Sequence, residues 1–244
     1  MRIAAIQIGF LDGMAAMTIA VVIVAAGRGR RLGGEIPKQY IPLGEKSALR
    51  RSVEVFLSHD AIGWIVPVIH PDDRDLFDDA LLGLNDRRLL DPVLGSDTRG
   101  KSVRNGLDRL AENKPHIVLI HDAARPFLPN AVIDRVLEAL KSSDGACAAL
   151  PVVDALWTSE NNTALDQVPR EGLWRAQTPQ GFDFEKIREA HRLHDGDAAD
   201  DVAVAKAVGL SVQLVTGSEQ NYKITTTADL ERALIDAQHQ DSDL

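Results

Sequence analysis

In the stretch VVIVAAGRGRRLGGEIPKQY, from Val21 to Tyr40, Gly27 and Gly29 alternate with Arg28 and Arg30, Arg31 follows, and Lys38 stands a little further on. Glycines let backbone N–H groups approach an anion closely, and a cluster of cations around them suits a polyanion such as a triphosphate. Two common phosphate-binding patterns are absent. A dinucleotide-binding turn needs a third glycine where Leu32 stands, and a Walker loop needs Gly-Lys-Ser/Thr, which GEKS at Gly44 to Ser47 does not supply. By residue type alone the loop also reads as a solvated turn.

Other candidates carry two readings each. In HDAARPF, Asp122 and Arg125 suit the binding of a polar substrate or a local ion pair. In GSDTRG, Asp97 suits a contact to a ligand or the N-cap of the helix that follows. His191, His194, Asp195 and Asp197 in HRLHDGD have metal-like spacing, but they end an amphipathic helix in a polar turn, so no metal ligand is expected. Cys147, the single cysteine, lies in the apolar run GACAAL and reads as a buried structural thiol.

The elements that must position these residues alternate. Runs rich in β-branched residues, TIAVVIVA, IGWIVPVIH and HIVLIHD, are followed by helical patterns near Ser47 to Ser58, Asp72 to Leu82 and Asn130 to Lys141, with a further helix from Thr98 to Ala111. Such alternation predicts an α/β protein with a mostly parallel sheet flanked by helices. Ligands in these sheets sit at the carboxyl ends of the strands, where AAGRGRR and HDAARP both fall.

Between Pro151 and Gln180 the alternation fails, and the polar, turn-rich string with two tryptophans predicts a protruding β-arm. Helices are expected again at Phe184 to Leu193, Asp200 to Val208 and Thr226 to Ala237, with a strand SVQLVTG, and residues 236–244 form a tail whose stretch QHQDSDL looks frayed. Residues 1–17 read as an extension, with Met14 and Met17 as alternative starts, and residues 18–235 as one domain.

The chain has 244 residues, a formal net charge of -9 and a pI near 5.2. An acidic protein is a poor match for nucleic acid or anionic membrane, both of which ask for an extended basic surface. No apolar run is long enough to span a bilayer. A single cysteine excludes an intrachain disulfide and fits a reducing cytoplasm.

The string AAGRGRRLGGEIPKQY, together with GSDTRGKSV, LIHDAARPF, GLWRAQTPQGF and NYKITTTADL, resembles the 2-C-methyl-D-erythritol 4-phosphate cytidylyltransferases, nucleotidyltransferases of the non-mevalonate isoprenoid pathway, from about Ala20 to Leu230. The resemblance implies a Rossmann-like fold, a homodimer joined through the arm, and transfer of CMP from CTP to a sugar phosphate with release of pyrophosphate. It implies that Arg31, Lys38 and Lys223 act on the reacting phosphate, and that magnesium is held chiefly by the triphosphate. It assigns Ala25, Ala26, Gly27, Gly29, Ser96, Asp97 and Ser102 to the nucleotide. Asp122, Arg125 and Arg170 go to the acceptor, with Arg170 delivered to the neighbouring subunit, and Thr178 becomes a turn residue supporting the site.

Two positions depart from the family pattern. Ala155 and Ala199 stand where threonines are usual, and both lie on the acceptor side, with Trp157 near the place of a lysine. A cytidylyltransferase for another polyol phosphate, such as ribitol 5-phosphate, is therefore a second reading, and a nucleotide-binding regulator without turnover a third. In some bacteria the domain is fused to a later enzyme of the pathway, so association with such a partner is also implied.

Overall fold

The structure is a computed structural model that describes residues 17–28, 36–194 and 198–242. In chain order its strands are β1 (Ile19–Ala25), β2 (Pro42–Leu43), β3 (Lys46–Ser47), β4 (Ile62–Ile69), β5 (Val93–Leu94), β6 (Ile117–Asp122), β7 (Gly145–Pro151), β8 (Leu156–Glu160), β9 (Thr163–Val168), β10 (Trp174–Asp183) and β11 (Val212–Thr216). The helices are α1 (Ala48–Leu57), α2 (Arg74–Ala80), α3 (Arg99–Leu110), α4 (Asn130–Ala139), α5 (Phe184–Leu193), α6 (Asp201–Ala207) and α7 (Thr227–Ser242).

A seven-stranded sheet in the order β11-β7-β10-β6-β1-β4-β5 forms the centre. Only β10 runs antiparallel to its neighbours, β6 and β7. The expected mostly parallel sheet flanked by helices is therefore present. Strand β1 explains why both faces are covered: Val21 and Ile23 join one apolar cluster, and Ala20 and Val22 the other. The first face packs on α1 and α4 through Val53, Phe56, Val132 and Val136, the second on α3 and α5 through Val103, Leu107, Phe184 and Ile187. Helix α3 lies close to the sheet at Gly106, where a Cβ would come within 2.7 Å of Val22 Cγ1.

Helix starts follow their caps. The hydroxyl of Ser47 accepts from Arg50 N, and the carboxylates of Asp183 and Asp200 accept from Lys186 N and Ala203 N. At α3 the cap is Thr98, whose hydroxyl accepts from Lys101 N. This corrects the N-cap expectation for Asp97, whose carboxylate pairs instead with Lys101 Nζ at 2.8 Å.

Two further expectations change. The arm from Pro151 to Gln180 divides, with β8 and β9 forming a separate hairpin and β10 entering the central sheet. Thr178 accordingly lies within a strand and is buried, not in a turn. The helix does not stop at Ala237: α7 continues through QHQDS to Ser242, and Asp241 reaches back to Arg51 at 2.6 Å. Among the described residues, no helix is long and apolar enough to cross a membrane.

Candidate active site

Strands β1, β4 and β6 end side by side, because β1 pairs in register with both neighbours. Their carboxyl ends open into a cavity of about 710 Å³. Ala25, Ala26, Gly27, Lys38, Ser96, Asp97, Ser102, Asp122 and Lys223 all border it, so most sequence-nominated residues meet in one place. Arg31 and Gly29, with Arg30, lie outside the described residues.

The turn after β1 is held from behind. Gln39 Nε2 donates to Ala25 O at 2.5 Å and to Gly27 O at 3.2 Å, which fixes the carbonyls and leaves the turn facing the cavity. Arg28 turns aside to Asp72 and Asp73 at 2.5 and 2.9 Å, on the segment that leads into α2. Across the mouth, Ser102 Oγ accepts from Ser96 N at 2.9 Å and shapes the loop before α3. Gly95 is required there, since a Cβ would fall 2.3 Å from Ala26 Cβ.

Lys38 reaches the segment that carries Lys223, and both side chains border the cavity. Lys38 Nζ donates to Ile224 O at 2.8 Å, and Lys223 Nζ stands 2.7 Å from Asp122 Oδ2. Ile224 N in turn donates to Ala124 O at 2.9 Å, which stitches this segment to the loop after β6. Burial alone would raise the Asp122 carboxyl, but Arg99, Lys223 and Arg125 overcome it and hold the group far below the usual carboxylate range. It is an anion among cations at every working pH.

Its backbone is equally constrained. Asp122 N donates to Thr178 Oγ1 at 3.1 Å, and Thr178 Oγ1 lies 3.0 Å from His121 Nδ1. Burial pushes His121 down to about 4, so the ring is neutral at pH 7. The polarity of the chain follows: Thr178 donates its hydroxyl proton to Nδ1, and Nε2–H donates to Arg125 O at 3.1 Å.

Two nominated residues do not reach the cavity within this chain. Arg125 is turned to Asn221 O, to which it donates at 2.8 Å, and lies 3.9 Å from Asp122, which is the local ion pair the sequence allowed. Arg170 sits on the arm and donates to Val153 O. His191 is committed to Asp201 at 3.1 Å, while Asp195 and Asp197 lie outside the described residues. Cys147 is buried, and burial pushes its thiol up to about 12, which leaves it inert.

Sequence reasoning passed over Arg99, Gln39 and Gln180. Arg99 borders the cavity and bridges Asp122 and Asp201. Gln180 Oε1 accepts from Asp201 N and Val202 N at 3.0 and 3.1 Å, tying β10 to the start of α6. All three stand inside motifs that carry the family resemblance, GSDTRGKSV, PKQY and TPQGF, and that was their only signal.

Comparison with known proteins agrees with this fold. Among curated proteins, the bifunctional enzyme IspD/IspF of Paramagnetospirillum magneticum is 50% identical over 214 residues, covering 87% of this chain and 55% of the relative. The chain thus spans about half the length of that relative. The 2-C-methyl-D-erythritol 4-phosphate cytidylyltransferase of Cereibacter sphaeroides is 46% identical over 217 residues, covering 89% of this chain and 96% of the relative. Among solved structures, a 4-diphosphocytidyl-2C-methyl-D-erythritol synthase superposes with a TM-score of 0.78 at 28% identity, covering 90% of this chain and 98% of that one. The family model described as IspD, 2-C-methyl-D-erythritol 4-phosphate cytidylyltransferase, matches residues 19–237, and the chain belongs to that family.

Proposed function

We propose that this protein transfers CMP from CTP to 2-C-methyl-D-erythritol 4-phosphate, giving 4-diphosphocytidyl-2-C-methyl-D-erythritol and pyrophosphate in the non-mevalonate isoprenoid pathway. The observation that carries this reading is that Lys38 and Lys223 both border the cavity at the β1 turn, Lys38 Nζ donating to the carbonyl of Ile224, the residue after Lys223. The attacking group is a phosphate oxygen that is already ionised, so no general base is needed. Catalysis reduces to alignment and to stabilising charge on the α-phosphate oxygens, for which two ammonium groups are suited. We assign Arg31 the same role from its place in the first-loop motif.

The turn at Ala25, Ala26, Gly27 and Gly29 receives the nucleotide, with Ser96, Asp97 and Ser102 beside the base. Asp122, Arg125 and Arg170 serve the acceptor, Arg170 from a second copy of the chain, so that the working form is a homodimer. Magnesium accompanies the triphosphate and neutralises part of its charge. The donor set fits this role: among the described residues, Asp122 and Asp97 are the carboxylates that border the cavity, each already paired with a cation, which suits a metal held chiefly by phosphate oxygens. We place the protein in the cytoplasm, working beside or fused to a later enzyme of the pathway, an arrangement the bifunctional relatives support.

Ala155 and Ala199 favour one second reading, the same transfer to another polyol phosphate, because both remove a hydroxyl from the acceptor side. The test measures pyrophosphate release with CTP and magnesium over a panel of sugar and polyol phosphates. Methylerythritol phosphate is expected to give the highest kcat/KM. A higher value with ribitol 5-phosphate transfers the conclusion to the second reading, and CTP binding without release on any acceptor ends both.

A further inference from the structure

Behind the cavity, five ionisable side chains stand in line. From Lys223 Nζ it is 2.7 Å to Asp122 Oδ2, and from Asp122 Oδ1 it is 3.4 Å to Arg99 Nη2. Arg99 Nη1 is then 2.8 Å from Asp201 Oδ2, and Asp201 Oδ1 is 3.1 Å from His191 Nε2. Only Lys223, Asp122 and Arg99 border the cavity. Asp201 is wholly buried and His191 almost so.

A buried carboxylate is costly, and Asp201 is not needed as a cap, because Asp200 already accepts from Ala203 N at the start of α6. Its two oxygens are instead directed at Arg99 and His191. Burial would raise Asp201, and Arg99 and His191 hold it below the usual carboxylate range, so it acts as an anion.

We infer that Asp201, steadied by His191, is a positioning residue that acts through Arg99 on Asp122 and so sets where the Lys223 ammonium stands. The functional part of this inference rests on Lys223 acting at the reacting phosphate as proposed above. A guanidinium is a rigid fork that favours bidentate pairing with a carboxylate. Here the fork is divided: its close pairing is with Asp201, and its contact to Asp122 is longer, which leaves Asp122 Oδ2 to Lys223. Without charge on Asp201, Arg99 closes on Asp122 and competes with Lys223 for that oxygen. Arg125, 3.9 Å from Asp122 Oδ2, is the remaining cation at the junction and is tied to Asn221 O.

Asp201→Asn keeps the shape and removes the charge. Wild type and variant are treated with a limiting amount of an acylating ester, and modification of each lysine is followed by peptide mass spectrometry. Lys223 is expected to react roughly threefold faster or more in the variant, because a side chain displaced from the Asp122 carboxylate is more accessible to the reagent. The other lysines should keep their rates. With CTP and methylerythritol phosphate, kcat should fall about tenfold while KM for CTP stays within about threefold, the split expected for lost alignment.

His191→Phe, which removes the donor to Asp201, should move Lys223 labelling in the same direction, and His191→Gln, which keeps an N–H, should restore it. This pair decides the matter if Asp201→Asn does not fold. Unchanged Lys223 labelling in a folded variant, or faster labelling with unchanged kcat, overturns the inference. A wild-type protein without turnover instead refutes the proposed reaction, while the labelling still decides the geometry.

Discussion

The cavity side of the sheet and the arm stand at opposite extremes of partnership. Around the cavity, side chains hold the β1 turn, the Asp122 backbone and Lys223 in place: Gln39 on the turn, Thr178 on Asp122 N, and the Asp122 carboxylate on Lys223. On the arm, Trp157 is 57% exposed and Leu165 52%, and the hairpin is held by its own ladder between β8 and β9. The cavity is thus organised before a ligand arrives, which is what charge stabilisation requires. The arm has apolar surface that nothing among the described residues of its own chain covers, and a second copy is the partner that we propose for it.

The largest effect should come from breaking one side of this contrast and then the other. If Lys38 stabilises charge that develops in the transition state, Lys38→Ala lowers turnover by roughly a hundredfold or more and moves CTP affinity far less. An unchanged turnover number removes Lys38 from the reaction. Arg170→Ala should be nearly as inactive, although Arg170 does not reach the cavity of its own chain. Co-refolding the two variants then separates the readings. About half the dimers formed are heterodimers, each with one doubly damaged and one intact site, so activity returns to roughly a quarter of wild type. A mixture as dead as its parents means that the arm serves its own subunit.

A smaller effect concerns stability. Phe182 on β10 is fully buried and fills the space left open at Gly145, where a Cβ would come within 2.6 Å of its ring. Phe182→Ala should cost about 3–5 kcal/mol in denaturant unfolding. Leu165→Ala on the arm should cost within about 0.5 kcal/mol at protein concentrations low enough to keep the chain monomeric. A large loss at Leu165 under those conditions would show the hairpin packed on its own body.

The same contrast explains what could be read from the sequence. Helices α1, α3, α4 and α5 were legible because one face of each buries apolar residues at helical spacing against the sheet. Strand β10 was not, because QTPQGF puts Gln177, Thr178 and Gln180 inside, where their burial depends on partners such as Asn221 and Asp200 that are distant in sequence. The end of α7 was misjudged for a similar reason: QHQDS looks solvated until Asp241 meets Arg51. In the site, the strand ends carrying the first loop and Asp122 were legible from the alternation alone, and Lys38, Lys223 and the nucleotide residues from the spaced motifs. Arg99 acquires its place only from tertiary contact with two carboxylates, which residue spacing does not encode.

The smallest expected effect lies on the organised side of the comparison, at the start of α7. Asp229 Oδ2 accepts from Thr226 N at 2.8 Å while Thr226 Oγ1 accepts from Asp229 N at 3.2 Å, a reciprocal cap. The same carboxylate accepts from Thr225, the cavity-lining residue two positions after Lys223. Burial would raise Asp229, but these hydrogen bonds outweigh it and bring the carboxyl down to about 2. In the unfolded chain it returns to roughly 3.9. Because the folded value is the lower one, the unfolded state binds more protons between the two, and the cap's contribution is complete above about pH 4 and lost as pH falls through about 2. For a partly exposed group, solvent screening reduces that contribution to about 1 kcal/mol. Asp229→Ala should therefore unfold about 1 kcal/mol more easily at pH 7, with roughly half of the difference gone by about pH 3. Urea unfolding of both proteins across this range reads the gap directly. A gap that stays constant with pH would mean that the side chain supports α7 by packing and not as a charged cap.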